Sequence, residues 1–175
     1  MHDCISHICD IYLLKIKSYT VGTSKKSMEI NIREATTSDF NQINALFREF
    51  AEFENLPERM TNTVDQMMEE KEYFNCFVAE TPDGEIAGYV TYFFGYYTWV
   101  GKSLYMDDLY VRPAFRGQGV GSLLIHKIIT YAKVSGCHRL RWQVSGWNKP
   151  AIGFYKKLGA TISGVEQNCD LSFSF

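Results

Sequence analysis

The chain has 175 residues, of which 46% are hydrophobic and 22% charged, with a formal net charge of −2; this describes one globular domain with enough chain for a core. The near-neutral balance excludes a broad basic surface for nucleic acid, and no apolar run approaches the ~20 residues of a transmembrane helix, so neither nucleic acid nor membrane is an expected partner. Five cysteines without a C-x-x-C pair read as reduced thiols in a cytoplasmic protein. Residues 1–27 read as an extension with no assignable role, and one domain follows over 28–175. The start of the extension has no basic n-region, and Asp10 and Lys15 interrupt its apolar stretch, which argues against a secretory signal. His2, Cys4, His7 and Cys9 match no usual zinc spacing, so no metal is expected.

Ile30 to Glu34 alternates apolar and polar side chains, as a strand does. Thr36 and Asp39 have capping-box spacing, and Phe40, Ile43, Leu46, Phe47, Phe50 and Ala51 then form one helical stripe ending near Glu54 to Pro57. A more polar helix is predicted over 63–72. Strands are predicted over 74–81, 86–97 and 104–111, with turns at Pro82-Asp83-Gly84 and 99–102. A helix over 120–135 should turn Val120, Leu123, Leu124, Ile128 and Ile129 inward. A fifth strand is expected over 139–144. Asn148 then caps a helix over 149–158, with Pro150 in its first turn and Gly159 after its end. Ala160 to Gly164 and Cys169 to Phe175 are expected to pair as a terminal hairpin, making about seven strands.

The chain is organised around Val111 to Leu124, V-R-P-A-F-R-G-Q-G-V-G-S-L-L, where strand passes into helix. Gly117, Gly119 and Gly121 remove side chains where the first helical turn has free N–H groups and the positive end of its dipole. Such a run of donors suits phosphate, and Arg116 adds a positive charge. No Gly-Lys-Ser/Thr is present, which excludes a P-loop. Ser122 stands where a dinucleotide fingerprint needs its third glycine.

What remains, R-x-x-G-x-G from Arg116 to Gly121, resembles the acetyl-CoA pyrophosphate motif of the GNAT N-acetyltransferases. The order βααβββαβαββ is similar to theirs from about Met28 to Phe175. With Y-F-F-G-Y-Y-T-W-V-G-K, L-Y-M-D-D-L-Y-V-R-P and W-N-K-P-A-I-G-F-Y-K-K-L-G-A included, the chain looks like the diamine (spermidine/spermine) acetyltransferases, a group that includes the thialysine acetyltransferases. The resemblance implies an α/β GNAT fold: a mixed central sheet with helices on both faces, splayed between strands 4 and 5. It also implies acetyl-CoA as co-substrate, a small-molecule primary amine as acceptor, and a homodimer.

By resemblance, pantetheine lies along Leu109, Tyr110 and Val111, with the Leu109 N–H toward the thioester carbonyl, although ordinary sheet pairing would use the same groups. Arg116, Gly117, Gln118, Gly119, Val120, Gly121 and Ser122 form the pyrophosphate site. Asn148, Pro150 and Ala151 are further cofactor positions, and capping alone would also explain Asn148. Tyr155 matches the general acid; a phenol with a reference pKa near ~10 can protonate a thiolate. Asp107 stands where the family has a glutamate that binds and deprotonates the amine. Being one methylene shorter, it implies a water relay, while an exposed carboxylate at a sheet edge is the alternative. Asp107 and Asp108 are both acceptor-binding candidates, since charges inside an apolar strand invite a functional reading; as neighbours in a strand, their side chains should face opposite ways unless a bulge intervenes. Glu54 and Trp99 match positions near the polyamine site; a solvated helix end would equally explain Glu54.

Tyr97-Thr98 and Gln167 replace residues of the polyamine pattern, with Glu166 next to the latter. Fewer carboxylates favour a shorter amine or amino acid over a long polycation. A peptide or protein N-acetyltransferase and a non-catalytic acyl-CoA-binding domain are the alternatives on the same fold. The latter would not need Tyr155.

Overall fold

The computed structural model describes residues 29–164. The 1–27 extension with its His/Cys cluster, the expected strand from Cys169 to Phe175, and Glu166 and Gln167 lie outside them. The chain divides into two compact units between Arg141 and Trp142.

The first unit is built on a five-stranded sheet in sequence order: β1 (Asn31–Glu34), β2 (Asn75–Glu80), β3 (Ile86–Tyr97), β4 (Gly101–Val111) and β5 (Arg139–Arg141). Its first four strands run antiparallel to their neighbours, and β5 is parallel to β4. Among its described residues are three α-helices: α1 (Phe40–Phe53), α2 (Val64–Glu69) and α3 (Val120–Val134). The period of two on β2 distributes them over both faces. Cys76 and Val78 join Phe40, Ile43 and Leu46 of α1 in one cluster. Phe77 points the other way, stacking on Tyr92 and meeting Tyr131 of α3 edge-on. The mixed sheet covered on both faces is the expected architecture.

Local signals set the ends of α1. Asp39 accepts a 2.7 Å hydrogen bond from the Thr36 N–H, and a 3₁₀ turn over Thr37–Asp39 leads into the helix. The same carboxylate meets Arg33, which also pairs with Glu80 across β1 and β2. At the far end Asn55 takes a left-handed φ of 60°, and the Leu56 N–H returns to Ala51 O.

Pairing between β4 and β5 covers only Ser103↔Arg139 to Tyr105↔Arg141. Beyond Tyr105, β4 runs on to Val111 paired to β3, while β5 stops at Arg141 instead of reaching the expected residue 144. The strand count is corrected from about seven to five among the described residues. Residues 160–164 are not assigned to a strand; their expected hairpin partner lies outside the described residues, and their one large apolar side chain, Ile162, is exposed and gives them no packed face.

In the second unit, α4 (Lys149–Lys157) starts where the Asn148 side chain accepts from the Ala151 N–H at 3.2 Å. It ends at Gly159, with φ 85°.

Candidate functional site

Two features of the first unit lie along β4. One is a cavity beside the middle of the strand. The other is the glycine loop at its end.

The cavity arises from an irregularity in pairing. Val90 faces Leu109 and Tyr92 faces Met106. Two steps on β3 therefore span three on β4, and Thr91 alone opposes both Asp107 and Asp108. This is a β-bulge, which re-aims side chains that regular pleating would send to opposite faces. The Asp108 N–H donates to Thr91 Oγ1 at 3.1 Å. Both carboxylates line one cavity of about 360 Å³, together with Glu54, Arg59, Asn62 and Thr91. That lies near the low end of the ~300–1,000 Å³ usual for small-molecule sites. Phe47 and Phe50 of α1 give it apolar walls.

These walls change the acids. Desolvation raises the carboxyl of Asp107, although Asp107 keeps contact with solvent. Half-buried Asp108 is pushed up to about 7, first by desolvation and then by the charges of Asp107 and Glu54. The pocket thus holds a carboxyl that changes charge near neutral pH, and its acids favour a cationic guest.

The loop is a backbone cradle. Gly117 and Gly119 have φ of 72° and 86°, and a Cβ at either would meet nothing within 4 Å. Glycine is required there by conformation, not by space. The first hydrogen bond of α3 is Leu123 N–H to Gly119 O. Among the described residues, no acceptor takes a backbone N–H of residues 117–122. Paired donors at left-handed positions before a helix suit a pyrophosphate. Gln118 Nε2 donates to Ala114 O, and Ser122 O meets His126 Nδ1. Arg116 turns back: its Nε donates to Val111 O at 2.7 Å, and its guanidinium lies over Phe53 and Tyr110. It therefore locks the end of β4 to α1. The Arg112 N–H bonds to Ala87 O, and the Asp108 N–H also points to β3. By alternation, the N–H groups of Leu109 and Val111 point to the opposite side of β4.

In the second unit, buried Tyr155 packs edge-on against Trp142, with ring centroids 5.0 Å apart. Asn148, Pro150 and Ala151 form the first turn of its helix. Trp99 sits in the β3–β4 turn, 98% exposed, and does not line the cavity. Arg59, Asn62 and Thr91 escaped the sequence reading. Only a pairing register exposes Thr91, and the turn holding Arg59 reads as ordinary loop. No group of acidic, His or Cys side chains suited to a metal occurs among the described residues. No helix among them is long and apolar enough to cross a membrane.

An open run of backbone donors and an acid-lined cavity on one strand suit a phosphorylated ligand and a cationic one. The Acetyltransferase (GNAT) family model matches residues 40–160, and the chain belongs to this family of acetyltransferases. It is 40% identical over 155 residues to a thialysine N-epsilon-acetyltransferase of Mus musculus, covering 82% of this chain and 91% of the relative. The Bos taurus protein of the same name is 39% identical over 142 residues, covering 75% and 84%. A spermidine/spermine N(1)-acetyltransferase-like protein of Homo sapiens is 30% identical over 161 residues, covering 86% of this chain and 23% of that one. Among solved structures, an aminoglycoside acetyltransferase from a soil metagenomic sample superposes with a TM-score of 0.69 at 23% identity, covering 83% of this chain and all of that one.

Proposed function

We propose that the protein transfers the acetyl group of acetyl-CoA to a primary amine of a small molecule, a diamine or a thialysine-like amino acid. The observation carrying this reading is the bulge that turns Asp107 and Asp108 into one cavity. The thialysine acetyltransferases at 39–40% identity support the same acceptor class.

Acetyl-CoA supplies an acetyl group activated as a thioester. The uncommitted N–H groups of residues 117–122 and the open space over Gly117 and Gly119 fit its pyrophosphate. In this reading the Leu109 and Val111 N–H groups hold the pantetheine arm, and the Leu109 N–H polarises the acyl carbonyl. By the family resemblance, Asn148, Pro150 and Ala151 are proposed as further coenzyme positions. Glu54 and the aspartate pair draw in the ammonium. Asp107 takes its proton through water, and Asp108, poised near neutrality, shares it. Tyr155 returns a proton to the departing sulfur, so the products are the N-acetyl amine and the free thiol.

The test is an acceptor panel with labelled acetyl-CoA: spermidine, putrescine, thialysine, lysine and a short peptide. Turnover of the small amines is expected. Turnover of the peptide alone would replace this reading with a protein N-acetyltransferase. Binding of acetyl-CoA with no transfer to any amine would leave a non-catalytic acyl-CoA-binding domain.

A further inference from the structure

The cavity contains a cation that no diamine needs. Arg59 closes the 3₁₀ turn Pro57–Arg59 and lines the same space as Glu54, Asp107 and Asp108. Its backbone is held: its N–H bonds to Leu56 O at 3.0 Å, and its own carbonyl accepts from the Thr61 N–H at 3.1 Å. Its guanidinium forms no hydrogen bond or ion pair with any described residue. By contrast, Arg112 is committed to Glu49 and Glu85, and Arg33 to Asp39 and Glu80. A fork of donors beside acids, but not paired with them, is arranged for an anion brought by the guest.

A second observation points to the same guest. Asn62 also lines the cavity, and its Oδ1 is buried without a hydrogen-bond partner. Its segment is held in place, since Asn44 Nδ2 donates to the Asn62 backbone carbonyl at 3.1 Å. A buried acceptor without a donor is costly unless a ligand supplies one.

We propose that Arg59 and Asn62 read the zwitterionic head of an ω-amino acid acceptor, Arg59 taking its carboxylate and Asn62 Oδ1 its α-ammonium. This rests on the small-amine reading above and narrows it. The ω-amine then lies toward Asp107 and Asp108. A diamine offers no anion to Arg59, and its distal ammonium is repelled there. Arg59 is thus a specificity-determining residue that favours amino acids over polyamines.

The test compares acceptors that differ only by a carboxylate: ornithine with putrescine, and lysine with cadaverine. The wild-type protein should have the higher kcat/KM for the amino acid of each pair. Arg59→Ala should lower kcat/KM for ornithine and lysine on the order of 10- to 100-fold, mainly through KM, and raise that for putrescine several-fold. Arg59→Lys should fall between, because it keeps the charge but loses the two-pronged contact. Asn62→Ala should weaken the amino acids and spare the diamines by comparison. The side chain of Arg59 is exposed, so its loss leaves folding intact, which an unchanged melting temperature checks. Equal losses on both members of a pair, or no loss on the amino acids, overturn the inference. If the wild type acetylates diamines and Arg59→Ala changes nothing, only this inference falls. If it acetylates no acceptor of either series, the small-amine reading falls with it.

Discussion

Asp107 and Asp108, neighbours in one strand, share a single cavity because together they oppose Thr91. This arrangement has a cost. A carboxyl raised on folding takes up a proton that the unfolded chain has released, so its contribution to stability falls as pH rises. For Asp108 the window runs from the ordinary value of 3.8 to about 7. Asp108→Asn removes the ionisable group and keeps the shape. The variant should match the wild type near pH 4 and be more stable above pH 7, by roughly 2–4 kcal/mol. Thermal unfolding across pH 4–8 tests this; a difference that does not change with pH would refute the raised carboxyl.

Under the proposed function, the same pair would set the pH dependence of transfer. If Asp107 receives the proton of the amine through water, Asp107→Asn should lower kcat/KM by roughly 10²-fold. The deficit should be largest below the pKa of the amine, where almost every acceptor arrives protonated, and should narrow as pH rises. A pH–rate profile parallel to that of the wild type would remove Asp107 from proton transfer.

Asp39 behaves in the opposite sense. Its carboxylate is 5% exposed and hydrogen-bonds to Arg33 at 2.7 and 2.8 Å and to the Thr36 N–H. The Arg33 contacts, aided by Thr36, hold it down at about 2. A depressed carboxyl stabilises the fold above its unfolded value and loses that effect as pH falls from 3.8 toward 2. Asp39→Asn should therefore cost about 2 kcal/mol at pH 7 and almost nothing near pH 2. Melting curves at the two pH values decide this; equal losses at both would mean that packing, not charge, is what the substitution removes.

Periodic and local features were legible in the sequence. The stripe of α1 places Phe40, Ile43 and Leu46 in the core. The Asn148 cap and the left-handed Gly117, Gly119 and Gly159 also stand where the residue types required them. The stripe of α3 was harder to phase, since apolar residues surround much of that helix. Ile125 is fully buried, whereas Leu123 and Ile129 are only partly so. The bulge was not legible, because it is a property of how β3 pairs with β4 and not of either segment. Arg59 and Asn62 were missed for a similar reason. Their segment has no period, and only the reversal at Asn55 brings it to the cavity.

Tyr155 allows a clean separation of binding from chemistry. It lies in the helix that Asn148 caps and packs against Trp142 and Phe154. Phenylalanine preserves those ring contacts and removes only the hydroxyl. If that hydroxyl protonates the leaving sulfur, Tyr155→Phe should lower kcat by roughly 10²-fold and leave the Kd for acetyl-CoA within a few-fold. Single-turnover rates with calorimetric binding measure both. Wild-type turnover in the variant would assign the proton to another group.

Two glycines separate cradle from scaffold. A Cβ at Gly88 would lie 2.6 Å from the Tyr110 carbonyl oxygen, so β3 and β4 must move apart to admit it. Gly88→Ala should cost about 1–3 kcal/mol of overpacking. At Gly119 the added methyl meets nothing, but φ of 86° is strained for alanine by about 1–2 kcal/mol. Relief of that strain would shift the loop amides on either side of Gly119. Comparable losses in melting temperature are therefore expected from both variants. In Gly119→Ala, the affinity for acetyl-CoA should also drop by about tenfold or more, whereas Gly88→Ala should bind it more nearly as the wild type does at a temperature where both are folded. Wild-type affinity in Gly119→Ala would mean that the amides of residues 117–122 do not hold the pyrophosphate.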